Sequence, residues 1–468
     1  MRAIVRKIAA WPSLAVFAVF FSAAAFGQST RPFLQDIQVQ RESGPDADAS
    51  LIKKTGSSSP TNAIAASAAS GSLIKSAIPA LAEVEIPGYS GVLVQSLSGD
   101  VIVDSASDTP FNPASNVKVA TAFAVLKTFG PEYRFSTGVW TDGSYEEATG
   151  TIHGNLYVSG RDPVFGYEHA VRLASELNKM GIRNVKGDLI VTDNFAMNHS
   201  GSASGSSRSL FATLDAAKRS ASANNAWASY LVNSGRFTPD MPVPSVAFTG
   251  SVYVQPMPGN VNLLFSHESA KMRDILKATL CYSNNFIAER LGEMVGGPYA
   301  VARLVQQHAG VPADEFSLQT SSGLGINRVT PRAMMKLLQT LRSELAGYRM
   351  TFADIMPVAG VDKGTLENRF DSDFAMGSVV GKTGTLSRTD GGASALCGEI
   401  NTRNGKLLFV IFNQRGSVSR FRRFQNNYVS IIQSYFGGPA AMAYDEVPLN
   451  ARLAKTRISY PAGAQLGS

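Results

Sequence analysis

The sequence predicts an α+β fold, an antiparallel sheet flanked by helices and interrupted by an inserted, mainly β domain. Three observations carry this expectation. A hairpin signal followed by a long apolar helix occupies residues 91–130, and three strand patterns followed by a helix occupy residues 378–436. Between them, residues 141–255 read as short strands separated by Gly- and Ser-rich turns, a different texture from the flanking helical segments.

The elements follow in chain order. Arg2, Arg6 and Lys7 precede an apolar run from Leu14 to Phe21, and Ala25-Phe26-Gly27 supplies small residues. This pattern predicts a cleaved signal peptide over residues 1–27 and no stable membrane span after cleavage. Residues 28–80 are rich in Ser, Ala and Gly and read as a flexible lead-in. Strands are expected at Gly91–Ser96 and Val101–Asp104, joined across Ser98-Gly99-Asp100. Asn112 is the expected cap and Pro113 the first turn of a helix that Gly130-Pro131 ends. From Val117 to Leu126 that helix is almost entirely apolar, so it is expected to be buried all round, and Lys118 within it needs a partner or must lose its proton.

Strands at Thr151–Val158 and Val185–Thr192 belong to the insert, and Gly201–Asn225, poor in large apolar residues, reads as a loop. A helix over Ser269–Leu280 breaks at Tyr282-Ser283-Asn284 and resumes over Phe286–Val295, with Asn285 as its expected cap. The chain closes with strands at Ser378–Leu386, Ala393–Asn401 and Lys406–Phe412, a helix over Arg420–Phe436, and a tail. The expected division is therefore a discontinuous catalytic domain (81–140 and 256–440), an inserted domain (141–255) and a C-terminal tail (441–468).

Composition excludes several functions. The 468 residues are 44% hydrophobic and 17% charged, which is globular material for two or three domains. The formal charge of +7 falls to about +4 without the three basic residues of the leader, and no aromatic-basic cluster argues for nucleic acid. The five histidines show no metal-binding spacing, so neither a metal nor another cofactor is expected. Cys281 and Cys397 lie in apolar segments and are expected as buried free thiols, although an exported location permits a bridge.

Three motifs carry the chemistry, in order: Ser115-Asn116-Val117-Lys118, Ser283-Asn284-Asn285 and Lys382-Thr383-Gly384. The first places a hydroxyl and an ammonium one helical turn apart. The second adds a hydroxyl and an amide at a helix break, the third another ammonium on a strand. Together they make a nucleophile, a base, a proton relay and an anion clamp for acyl transfer. The letters alone are weak, because Ser50-Leu51-Ile52-Lys53, Ser72-Leu73-Ile74-Lys75, Lys54-Thr55-Gly56 and Ser222-Ala223-Asn224 spell them again. Only Ser115 stands at the mouth of a long apolar helix. Burial and a second ammonium, Lys382, both favour a neutral Lys118 able to take the proton of Ser115.

With these motifs in place, the chain resembles the penicillin-recognising serine acyltransferases. Within them it resembles the D-alanyl-D-alanine carboxypeptidase/endopeptidase group, the class C low-molecular-mass penicillin-binding proteins. The resemblance is carried by FNPASNVKVATAFAVLKTFGPEYRF (111–135), SGRDPVF (159–165), CYSNNFIAERLGE (281–293), SSGLGINRVTPRAMMKLLQ (321–339), MPVAGVDKGTLENRF (356–370) and GKTGTL (381–386). It implies a β-lactamase/transpeptidase-like catalytic domain. It also implies an oxyanion hole from the backbone N–H groups of Ser115 and Thr385, and a substrate carboxylate held by Lys382, Thr383 and Thr385. Ser283 would return a proton to the leaving amine, and Asn285 would bind the substrate or Lys118. Glycines 381 and 384 would let substrate lie against the strand edge. Asp162, in the family's Gly-Asp-Pro position, would meet the amino group of the substrate's side chain, unless the preceding Arg161 pairs with it or it serves only as a turn residue. Asn284 stands where the family often has aspartate, and the gap between the first two motifs is short for the members with a third, nested domain.

The expected activity is that of a periplasmic serine D-alanyl-D-alanine carboxypeptidase and/or DD-endopeptidase acting on peptidoglycan stem peptides and acylated by β-lactam antibiotics. A β-lactamase is the nearest rival. Its deacylating E-x-x-L-N loop matches only Glu446-Val447-Pro448-Leu449-Asn450, which falls after Lys382 and not before it. A silent peptidoglycan-binding module on the same fold is the other rival. Oligomeric state is not encoded in any motif.

Overall fold

The computed structural model describes residues 75–82 and 84–461. The expected signal peptide, nearly all of the lead-in and the motif copies at Ser50, Lys54 and Ser72 lie outside the described residues.

The described chain opens with β1 (Lys75–Ser76), α1 (Pro79–Ala82) and the expected hairpin, β2 (Tyr89–Ser96) and β3 (Val101–Ser105). A 3-10 turn over Ala114–Asn116 runs straight into α2 (Val117–Phe129), buried from Val117 to Leu126. The insert follows as β4 (Ser136–Thr141), β5 (Ser144–Glu146), β6 (Thr151–His153), β7 (Leu156–Gly160), α3 (Tyr167–Lys179), β8 (Asn184–Val185) and β9 (Leu189–Val191). It continues with α4 (Ala203–Leu214), α5 (Ala221–Asn233), β10 (Ala247–Phe248), β11 (Val252–Val254) and β12 (Asn262–Glu268). The chain returns through α6 (Met272–Tyr282), α7 (Asn285–Met294), α8 (Pro298–Ala309), β13 (Phe316–Ser317), β14 (Arg328–Val329) and α9 (Pro331–Gly347). It ends with β15 (Val379–Leu386), β16 (Ala393–Thr402), β17 (Gly405–Gln414), α10 (Val418–Tyr435), α11 (Leu449–Leu453) and β18 (Arg457–Ser459).

The first hairpin and the last three long strands join as expected into one antiparallel sheet, in the order β1-β3-β2-β17-β16-β15. On one face Phe424, Tyr428, Val429 and Ile432 of α10, spaced at helical intervals, pack on Val92, Val94, Leu396, Phe409 and Ile411. Each such fully buried side chain stabilises the fold by roughly 1.5–3 kcal/mol. Helix α9 lies against β2 and β17. The strand carrying Lys382, β15, is left at the sheet's edge.

The insert corrects two expectations. Residues 201–225 are not a loop, since they supply α4 and the start of α5, capped by Ser202 and Ser220 hydroxyls that accept from Gly205 N and Ala223 N. Large apolar residues are sparse there because only one face packs, through Leu210 and Leu214 on α4 and Trp227, Tyr230 and Leu231 on α5. With α3, three helices of 12 or 13 residues outweigh the short strands, so the insert is mixed and not mainly β. The two long strands expected there each break in two. Their halves separate into a four-stranded sheet (β10-β8-β6-β5) and a six-stranded one (β11-β9-β7-β4-β12-β18). The breaks pack on each other, with a Cβ at Gly187 standing 2.2 Å from Gly154 O, so neither turn admits a side chain.

The larger insert sheet reaches back to Ser136 and forward to Glu268, and β18 of the tail pairs with β12 at its edge. On the way, the tail crosses the catalytic part. Met442 N donates to Gly377 O, Tyr444 Oη donates to Asp362 (2.7 Å), and Arg452 pairs with Asp274 (3.3 Å). Tyr230 and Thr456 share a hydrogen bond of 2.6 Å, and α11 touches both α6 and α5.

Candidate active site

The turn bearing Ser115 is braced from several sides. Asn112, expected to cap the helix, instead accepts from Ala114 N (3.0 Å) and donates to Gly325 O (2.9 Å) and Asp390 (2.7 Å). Arg328 holds Asp390 in turn at 2.8 and 3.0 Å. Ala114 has φ 47°, a left-handed conformation that side chains rarely adopt. Two glycines make that turn possible. A Cβ on Gly323 would stand 2.0 Å from Ala114 O, and one on Gly384 would stand 2.7 Å from Pro113 O. Gly384 therefore clears space for the protein's own turn, where the sequence suggested space for substrate. Asn116, with its amide nitrogen turned toward β15, donates to Lys382 O (2.9 Å) and Thr383 O (3.3 Å) and ties the first motif to the third.

The second motif sits at the α6–α7 junction. Ser283 ends α6 in the left-handed conformation (φ 56°), which turns the chain sharply into α7. Asn284, not Asn285, caps α7, its side chain accepting from Ile287 N at 2.9 Å. That corrects the expected cap and releases Asn285, one residue inside the helix, to reach across to α2.

The three motifs meet at two ammonium groups. Lys118 Nζ lies 3.0 Å from Ser115 Oγ, 2.7 Å from Asn285 Oδ1 and 2.7 Å from Ser322 O. Lys382 Nζ donates to Ser283 Oγ (2.9 Å) and Thr383 O (2.7 Å). Both lysines are almost fully buried, whereas Ser115 is only half-buried and open to a reactant. Burial first, and the charge of Lys382 second, push the Lys118 ammonium well below its ordinary range, while Glu289 pulls it back up. Burial likewise pushes Lys382 down to about 7. Cys281 and Cys397 flank this site as free thiols that burial raises to about 12, so they stay neutral.

The partners around Lys118 accommodate a neutral amine as well as an ammonium. Asn285 Oδ1 and Ser322 O only accept, whereas the Ser115 hydroxyl both donates and accepts. A neutral amine has two N–H groups for the two obligate acceptors, which leaves its lone pair facing the Ser115 proton.

Alternation along β15 aims the Thr385 backbone. Gly381 N donates outward to Pro357 O, so the N–H groups of Thr383 and Thr385 face the same free edge. Residues that sequence reasoning missed complete this edge. Arg422 of α10 donates to Thr385 Oγ1 at 2.9 Å, and burial together with the nearby Arg422 charge pushes Arg369 down to about 10. Neither Lys382 nor Arg422 pairs with a carboxylate among the described residues, so this end of the site is poised for an anion. Nothing in the linear pattern around Arg422 marks it, because α10 is brought beside β15 by the sheet.

Asp162 does not join this group. It is 2% exposed, its Oδ1 accepts from Val164 N (2.9 Å) and its Oδ2 has no partner among the described residues. Burial pushes its carboxyl up to about 6, and the expected pairing with the exposed Arg161 is not made. It presents almost no surface to a ligand and is a buried turn residue. The insert instead touches the site through His199, whose ring lies 5.5 Å from that of Phe286, next to Asn285.

Comparison with known proteins supplies the family and the fold. The model of the D-Ala-D-Ala carboxypeptidase 3 (S13) family matches residues 79–209 and 229–433. The D-alanyl-D-alanine carboxypeptidase of Actinomadura sp. (strain R39) is 26% identical over 420 residues, covering 69% of this chain and 77% of its own length. The D-alanyl-D-alanine carboxypeptidase DacB of Haemophilus influenzae is 24% identical over 403 residues, covering 67% and 82%. Among solved structures, the penicillin G-acylated predatory endopeptidase Bd3459 of Bdellovibrio bacteriovorus superposes with a TM-score of 0.66 at 23% identity, covering 77% of this chain and 96% of its own. Penicillin binding protein 4 (dacB) of H. influenzae gives 0.56 at 22% identity, covering 75% and 97%. With the greater part of its length matched by the family model, the chain belongs to the D-Ala-D-Ala carboxypeptidase 3 (S13) family.

Proposed function

We propose that the protein is a serine D-alanyl-D-alanine carboxypeptidase and/or DD-endopeptidase acting on peptidoglycan stem peptides, with Ser115 as nucleophile. The observation that carries the reading is the set of partners around Lys118, which suits a neutral amine accepting the Ser115 proton. Ser115 Oγ attacks the carbonyl carbon between two D-residues as its proton passes to Lys118 Nζ. The carbonyl oxygen becomes an oxyanion held by the N–H groups of Ser115 and Thr385, each such donor contributing about 2.7–4 kcal/mol in a transition state. Lys118 then gives up that proton, which Ser283, bonded to Lys382, relays to the leaving nitrogen; the C–N bond breaks and the acyl-enzyme remains. Water then hydrolyses the ester. The substrate carboxylate is held by Lys382, Thr383 and Thr385 with Arg422 behind them. A penicillin follows the same course, but its leaving nitrogen stays tethered, so the adduct persists.

Residues 1–27 act in this reading as an export signal to the periplasm, where the substrate lies. No helix among the described residues is long and apolar enough to cross a membrane. The catalytic domain is drawn from both sides of the insert, as the sequence division at 140 and 256 suggests. Incubating the purified protein and Ser115→Ala with a fluorescent penicillin tests the assignment. A stable adduct on the wild type alone is expected; rapid antibiotic turnover without an adduct would make it a β-lactamase, and no reaction would make it a silent module. Digestion of muropeptides, read as free D-alanine or as separated cross-links, identifies the bond cleaved.

A further inference from the structure

The segment Ser321-Ser322 lies against Lys118, and both of its N–H groups and both of its carbonyls are held by side chains. Glu289 of α7 accepts from Ser321 N (3.1 Å) with one carboxylate oxygen and from Ser322 N (2.9 Å) with the other. Ser321 O accepts from Thr121 Oγ1 of α2 at 2.6 Å, and Ser322 O accepts from Lys118 Nζ. Gly292, one turn beyond Glu289, lets the loop come in close, since a Cβ there would stand 2.0 Å from Ser321 Oγ. Ser322 is thus held at its N–H by a carboxylate and at its carbonyl by the lysine.

We infer that Glu289 is a positioning residue that sets the base strength of Lys118, by fixing the Ser322 carbonyl and by placing a negative charge behind it. The inference rests on Lys118 acting as the base for Ser115. Asn285 and Glu289 lie four residues apart on α7 and so share a face. That face meets Lys118 twice, through Asn285 Oδ1 directly and through Glu289 by way of the loop. The charged groups that act on Lys118 are Lys382 from β15 and Glu289 from α7, opposed in sign. The cysteine thiols beside Lys382 are held neutral, and Ser115, Asn285 and the Ser322 carbonyl carry no charge. Burial and Lys382 both weaken the Lys118 amine as a base. Glu289 offsets part of that loss without touching the reacting atoms.

The sign follows from charge. Removing the carboxylate lowers the Lys118 pKa further, so its neutral form persists to lower pH while its strength as a base declines. The test is the rate constant for acylation by a fluorescent penicillin, measured from pH 4 to 9 on the full protein, with Glu289→Gln and Glu289→Asp beside the wild type. For Glu289→Gln the acid limb should move down by about half to one pH unit, as for loss of one partly screened neighbouring charge, and the plateau should fall. Glu289→Asp, whose shorter side chain draws the charge back from the loop, should move the limb the same way by less. Should Glu289→Gln fail to fold, the limb of Glu289→Asp decides. Limbs coinciding with the wild type, whatever the plateau, overturn the inference and leave Glu289 a mere tie between helix and loop. A wild type that penicillin does not acylate overturns the catalytic reading instead.

Discussion

Lys277 of α6 and Asp362, between α9 and β15, form a fully buried ion pair, and breaking it should be among the costliest single changes in this protein. Lys277 is fully buried, and its Nζ donates to Ala353 O (2.7 Å), Met356 O (2.6 Å) and Asp362 Oδ2 (2.6 Å). Asp362, 2% exposed, also accepts from Val358 N (2.7 Å) and Tyr444 Oη (2.7 Å). Asp362→Ala strands an ammonium that keeps two carbonyl partners, at a cost of about 3–5 kcal/mol, and orphans Val358 N and Tyr444 Oη. Lys277→Met strands the carboxylate and also orphans two carbonyls, each adding roughly 1–3 kcal/mol. Each variant thus strands one charge and orphans two further partners, so the two should cost about the same. The double variant should cost clearly less than the sum of the singles, because no lone charge remains buried. Unfolding of all four proteins by urea, followed by tryptophan fluorescence, supplies the comparison. Costs below about 1 kcal/mol for either single variant, or a double variant as costly as the sum of the singles, would refute the reasoning. Since α6 carries both Lys277 and, at its end, Ser283, acylation should also slow in any single variant that still folds.

Two further outcomes follow from titration. Lys382 sits at about 7 through burial, so its positive charge is full below that pH and fades above it. Acylation should show an alkaline limb near pH 7, which Lys382→Arg should move beyond pH 9 because a guanidinium stays charged; an unmoved limb would exclude Lys382 as the anion clamp. Asp162 is raised from 3.8 to about 6 by burial, so its contribution to stability is present below pH 4 and lost as pH rises through 6. Asp162→Asn keeps the acceptor for Val164 N and should stabilise the protein at pH 8 by up to about 3 kcal/mol. The gain should shrink toward pH 4, with penicillin acylation unchanged. A gain independent of pH, measured by chemical denaturation, would show that ionisation is not its source.

What the sequence revealed and what it hid divide along a physical line. Hairpin β2–β3, helix α2 and strands β15–β17 are regular, deeply buried elements, and their apolar periodicity is visible within single windows of chain. The pairing of Ser115 with Lys118 is likewise local, one turn of backbone. The helices at 203–214 and 221–233 escaped notice because serine and alanine form helix without announcing a buried face. Glu289, Arg422 and the Lys277–Asp362 pair act between distant parts of the chain, and nothing about a glutamate or an arginine taken singly tells which loop or strand it will meet. Asp162 misled for the converse reason. Its Asp-Pro pair is kept, although Arg161 stands where the family has glycine, and its role depends on exposure, a property of the packed molecule.

The tail described above bears on motion. The insert departs through β4 and returns through β12, and these strands pair with each other, so the two crossings lie side by side like the knuckles of a hinge. Arg134 stands at that place, donating to Ser269 O and to Lys455 O. A hinge of this kind ordinarily leaves one rotation free. Here α11 is wedged between α6 on the catalytic side and α5 on the insert, while β18 is stitched onto β12 beside the pivot. Any swing of the insert must first expel that wedge. A stretch of chain that contributes no reacting group thus opposes movement of His199 away from Phe286, beside Asn285. Reshaping that contact would therefore require the tail to let go of both parts it joins.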